Sequence, residues 1–71
     1  FISTPVSINI NLEALLSDWF AAFDASLKSM QKVGIVFEVP VVDVFADMPA
    51  FAYARDRVQG LGYRVCIDGL T

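Results

Sequence analysis

Histidine is absent from this seventy-one-residue sequence, and cysteine occurs once, at Cys66. No internal disulfide can form, and no Cys/His zinc set can be assembled. Basic residues are scarce: five Lys and Arg stand against eight Asp and Glu, for a net charge of −3. So few cations make no basic patch, which excludes nucleic acid as a partner. Long apolar runs are also missing, and none approaches the ~20 residues of a membrane-crossing helix. There is no signal-peptide pattern, linker, low-complexity tract or charge run. A cytoplasmic chain without membrane contact is the expectation.

What the sequence has in excess is apolar residues, 56% of the total, against the ~45–50% usual for soluble proteins. Disorder is excluded on that ground. The length allows one domain, residues 1–71. The chain begins at Phe1 rather than Met, and with the apolar excess this suggests a piece of a longer protein. Such a fragment is expected to form homo-oligomers through an open sheet face or unpaired edges.

Val6-Ser7-Ile8-Asn9-Ile10 alternates and is β-branched, the pattern of a strand. Leu12, Leu15, Leu16, Trp19, Phe20, Phe23, Leu27 and Met30 follow in steps of three and four, one apolar helical face. Asn11 is placed to cap it, and Ser17-Asp18 offers a restart, so one long helix and two pieces both fit. Gly34 ends the segment, and Ile35–Val39 reads as a second strand closed by Pro40. Val41–Ala46 is ambiguous, with a short helical turn as one reading. Asp47 then caps a helix that carries Pro49 in its first turn, with Ala50, Phe51, Ala54, Val58 and Leu61 on its apolar face. Gly60 and Gly62 stop it. Arg64–Asp68 is a third strand. The order β-α-β-α-β predicts parallel strands joined by crossover helices.

Asn9, Glu38 and Asp68 stand at or near the C-terminal ends of these strands, 29 and 30 residues apart. That interval is about one βα unit. Strand alternation puts Ser7, Val36, Arg64 and Cys66 on their side of the sheet. The opposite side carries Val6, Ile8, Ile10, Ile35, Phe37, Val39, Val65 and Ile67. One face is therefore apolar and meets the helices, while the other is small or polar. All-parallel sheets rarely leave a face bare, and the simplest resolution is a (β/α)8 TIM-type barrel of which this α/β chain is a β-α-β-α-β segment. Active sites of such barrels lie at the strand C-termini. An amide and two carboxylates there are oxygen ligands suited to Mg2+ or Mn2+. Plain structural roles compete: Asn9 bonding loop backbone, Glu38 paired with a base elsewhere, and Asp68 before Gly69 forming a strand-end turn.

Ser7-Ile8-Asn9-Ile10-Asn11, Ile35-Val36-Phe37-Glu38-Val39-Pro40 and Leu61-Gly62-Tyr63-Arg64-Val65-Cys66-Ile67-Asp68 resemble three successive blocks of the EAL-domain family. Those blocks read roughly S-V-N-L-S, L-x-L-E-I-T-E and L-G-V-x-I-A-I-D-D-F-G. The resemblance spans nearly the whole chain, in order and at matching distances. It implies a (β/α)8 barrel that hydrolyses the bacterial messenger cyclic di-GMP with Mg2+ or Mn2+. It puts Asn9, Glu38 and Asp68 at metal-ligand positions. The departures are specific. Gly69 stands where the family has a second Asp, Val41 where it has a second Glu, and Leu70-Thr71 where it has Phe-Gly.

Without the second carboxylate a two-metal mechanism loses one ion site. The resemblance thus implies a catalytically degenerate segment of a bacterial signalling protein, regulatory or nucleotide-sensing, with no tight metal site of its own. A residual phosphodiesterase and a barrel rim that only docks a protein partner remain the alternatives. Glu13-Ala14-Leu15 spells the family's name but sits on the first helix, with Ser17 where the signature has Arg. It reads as a solvent-facing acid near a helix start. Trp19, Phe20 and Phe23 read as core, Cys66 as an inert small hydrophobe, and Arg55-Asp56-Arg57 as a solvated helix face. Tyr63 and Arg64 offer no specific chemistry.

Overall fold

The computed structural model describes residues 6–69. The positions Phe1, Leu70 and Thr71, on which expectations above rest, lie outside that range. Three strands, β1 (Val6–Asn9), β2 (Ile35–Pro40) and β3 (Arg64–Asp68), form one parallel sheet in the order β1-β2-β3. The first crossover contains α1 (Leu12–Leu15), α2 (Asp18–Ala25) and α3 (Ser29–Lys32). The second contains α4 (Val41–Ala46) and α5 (Met48–Gly60). The mixed α/β order is as expected, with five helical segments in place of two to four.

Serine explains why the first periodic run breaks twice. Ser17 is extended, and its hydroxyl donates to the Ala14 carbonyl at 2.7 Å, taking an acceptor of the α1 end. Ser26 does the same to Phe23 at the end of α2. Such local bonds offer the backbone an alternative to helix continuation. Breaking the run rotates its later positions away from the sheet. Met30, expected on the apolar face, is 86% exposed, and Leu16 and Trp19 are exposed as well. Phe20 is fully buried and Phe23 half-buried, so the aromatic face is core at two of its three positions. Trp19 lies outside it, stacked on Phe23 with centroids 5.2 Å apart.

The expected caps are present. The Asn11 side chain accepts from the Ala14 N–H at 2.8 Å, and Asp47 accepts from Ala50 at 3.1 Å with Pro49 in the first turn. The α5 end needs Gly62 at φ +106, a backbone region that side chains with a Cβ rarely enter. Ile35, Phe37 and Val39 of the central strand are buried against Leu12, Leu15, Phe20, Val44, Phe51, Ala54 and Val58, with Ile8, Ile10, Val65 and Ile67 packed at the margin. Phe37 meets Phe20, Phe23 and Tyr63 edge-on at centroid distances of 5.2–6.0 Å. Such contacts add to area burial. All helix packing in this core is on the Phe37 side of the sheet.

Candidate functional site

Alternation along β2 divides the sheet. Ile35, Phe37 and Val39 are buried, whereas Val36, Glu38 and Pro40 are only half-buried. On the outer strands, Ser7, Asn9, Arg64, Cys66 and Asp68 are exposed on that same second face. A central strand in a fully covered parallel sheet is buried on both faces. Among the described residues nothing covers this one.

Asn9 pairs directly with Glu38 in register, so these two side chains stand side by side on neighbouring strands, about 5 Å apart at the backbone. Glu38 pairs with Cys66, and Asp68 pairs with Pro40. Asp68 therefore projects from the same face one pleat repeat further on, about 7 Å along the strand. The three form a diagonal at the C-terminal rim. Among the described residues none of their side chains has a hydrogen-bond or ion-pair partner. Asn9 does not bond the loop beyond β1, and it is the Glu38 backbone carbonyl that accepts from Ile10, at 3.0 Å.

Two other acids near the strand C-termini, Asp43 and Asp47, are engaged. Asp43 reaches from α4 to accept the Leu12 N–H at 3.0 Å, across 31 residues of sequence. With Asn11, Glu13, Asp47 and Ala50 it lines a groove of about 390 Å³ on the helix side. There Asn11, Asp43 and Asp47 each spend an oxygen on a helix N-terminus. Glu13 is exposed in the first turn of α1, as expected for a solvent-facing acid. At the opposite end of the sheet, Asp24 accepts from the Tyr63 hydroxyl at 2.7 Å and pairs with Lys32 at 2.7 Å. The Lys32 hydrogen bond, with that of Tyr63, holds the Asp24 carboxyl below its usual range. Burial and the Asp24 carboxylate push the Tyr63 phenol well above its ordinary value. Sequence reasoning gave Tyr63 and Asp43 no role, and no local signal marks either, since both act across more than thirty residues.

This chain matches no family model, no curated protein and no solved structure.

Two of the positions at which the sequence departs from the EAL pattern, Gly69 and Val41, are neighbours. A Cβ on Gly69 would lie 3.2 Å from Val41 Cγ1. Gly69 also sits at φ +96, so an aspartate there would be strained as well as crowded. The backbone after β3 is shaped for glycine. Returning the acid requires the loop to move, even with Val41→Glu beside it.

As donors, Asn9, Glu38 and Asp68 are all oxygen, the chemistry that Mg2+ and Mn2+ take. Giving one oxygen each, three such groups fill half of an octahedral shell, and the diagonal stagger puts Asp68 away from the adjacent Asn9–Glu38 pair. Among the described residues no group of three or more His, Cys, Asp or Glu is arranged to hold a metal. The chain alone presents half a ligand set. Cys66 stands next to Glu38 on the exposed face. That is the side of the sheet on which strand parity places it.

Proposed function

We propose that this chain is a segment of an EAL-type (β/α)8 barrel that has given up hydrolysis and serves a regulatory or nucleotide-sensing role in bacterial cyclic di-GMP signalling. The observation that carries the reading is the polar face, uncovered among the described residues, with Asn9, Glu38 and Asp68 without side-chain partners among those residues at the C-terminal ends of three consecutive parallel strands. In a barrel that face is the interior, and that end carries the site. Asn9 and Glu38 would share one Mg2+ or Mn2+, and Asp68 would stand beside it. A divalent ion at such a rim supplies charge for holding a phosphate. The exposed rim groups orient and bind. Gly69 and Val41 leave the attacking water without a base from this chain.

The test is calorimetry of the complete barrel with cyclic di-GMP, with and without Mg2+, alongside a turnover assay. The reading expects metal-dependent binding without hydrolysis. Turnover on the order of 1 s⁻¹, typical of enzymes, would refute the loss of chemistry. Absence of binding would leave a rim that serves to dock a protein partner. The seventy-one-residue chain by itself is expected to hydrolyse nothing.

A further inference from the structure

Both walls of the 390 Å³ groove on the helix side belong to the crossovers of this chain: α1 forms one, and α4 with the start of α5 forms the other. In a (β/α)8 barrel the helices make the outer ring, so the same groove opens outward there too. Its apolar part is Leu12, Leu16, Ala46 and Ala50. Leu16 is 40% exposed although its spacing places it on the apolar helical face, and Ala46 is exposed as well.

Three carboxylates stand around that apolar part: Glu13 on α1, Asp43 on α4, and Asp47 at the corner between α4 and α5. No Lys or Arg lines the groove, and no ion pair among the described residues reaches these acids. Asp43 and Asp47 each spend one oxygen on a helix start, which makes them poor ion ligands but leaves their charge in place. Three formal charges outweigh the partial positive charge, at most about half a unit each, of the two helix N-termini.

We propose that this groove docks a partner protein through an extended segment in which one apolar side chain is flanked by Lys or Arg. The apolar side chain would rest on Leu16, Ala46 and Ala50, and the flanking cations would reach Glu13 on one wall and Asp47 on the other. A lone cation answers one wall only, whereas two cations with an apolar group between them match both walls and the floor. Lys and Arg stems also pack on apolar surface while their charged ends stay in water. Complementary charge steers such an encounter and selects the partner. The groove lies on the opposite side of the sheet from Asn9, Glu38 and Asp68, so the docking does not rest on the cyclic di-GMP reading, and failure to bind a nucleotide would leave it standing.

NMR titration of the full chain with an end-blocked Lys-Arg-Leu-Arg-Lys peptide tests it. Shifts should centre on Glu13, Leu16, Ala46, Asp47 and Ala50, and affinity should fall as salt is added. Replacing the peptide's Leu by Ser should weaken binding about tenfold, as expected for losing a buried apolar side chain. A peptide with Glu in place of its four basic residues should not bind. Glu13 is exposed and its side chain has no partner among the described residues, so Glu13→Lys should keep the circular dichroism of the wild type and weaken binding about fivefold or more. Shifts centred on Asn9, Glu38 and Asp68, equal binding of the Leu and Ser peptides, or a folded Glu13→Lys that binds like the wild type would each overturn the proposal. So would groove shifts that depend on protein concentration without peptide, which would make a second copy the occupant. The wild-type map and the peptide controls decide by themselves if Glu13→Lys fails to fold.

Discussion

The two faces of one six-residue strand divide the labour of this molecule. On β2, Phe37 and Val39 are completely buried, while Glu38 between them reaches the other face and has no side-chain partner among the described residues. The first face packs the buried hydrophobic residues of both crossovers and sets stability. The second adds little to folding, and its polar groups are left free for a ligand. Unengaged polar groups at a strand-end rim are therefore better pointers to chemistry than acids as such. Asp43 and Asp47 are carboxylates like Glu38, yet each is already a cap.

Truncation on the packed face should break the molecule. Phe37→Ala removes the centre of the aromatic cluster and is expected to cost about 3–5 kcal/mol. A core of this size rarely supplies more than about 3–5 kcal/mol in total. The expected outcome is loss of the cooperative thermal transition in circular dichroism. A variant that still melts cooperatively near the wild-type temperature would deny that this face carries the stability.

Between the two extremes lies the clamp joining the crossovers. Asp43→Ala leaves the Leu12 N–H without its acceptor and should cost about 1–2 kcal/mol, the upper range for a capping carboxylate. Urea denaturation should show a lower midpoint with an unchanged slope.

Tyr63→Phe removes one hydrogen bond to Asp24 and should cost about 1 kcal/mol at neutral pH. Its pH signature is more specific. The Asp24 carboxyl is lowered from the usual 3.8, so its contribution is present above that value and lost as pH falls through the native one. The Tyr63 phenol is raised from 10.0, so its contribution is present below pH 10 and lost as pH rises beyond it. Melting temperatures of the wild-type chain should therefore fall at both extremes. Tyr63→Phe should abolish the phenol's alkaline loss and shrink the acid one.

The smallest effect belongs to the open face. Glu38→Ala should change stability by no more than about 0.5 kcal/mol, as for a partnerless surface group. A larger loss in a urea titration would mean that Glu38 is held by a structural bond, and the division between the faces would fail.

The strands and both side-chain caps were legible because each rests on local signals. Alternation marked Val6–Ile10, of which the strand keeps Val6–Asn9, the third strand was read as Arg64–Asp68, and Asn11 and Asp47 stood three residues before the N–H groups they bind. The two-faced sheet followed from parity alone. The fragmentation of the first helix was half legible: Ser17-Asp18 marked one break, but Ser26 gave no sign of competing for the Phe23 carbonyl. Periodicity then carried Met30 onto a face that the break turns to solvent. Of the rim, the shared face of Asn9, Glu38 and Asp68 was readable. The offset of Asp68 was not, because register depends on how β3 slides against β2. Nor was the meeting of Gly69 with Val41, which depends on a positive φ.

Titration of the chain with Mn2+ under NMR observation tests the division between the two faces most directly, because paramagnetic broadening reports even weak, fast-exchanging contact. Broadening is expected first at Asn9, Glu38 and Asp68, whose oxygens are unengaged. Asn11, Asp43 and Asp47 should follow only at higher concentration, because their oxygens already hold helix N-termini. Broadening that starts in the helix-side groove around Asp43, or spreads evenly over the acids of both faces, would contradict the assignment of ligand chemistry to the open face.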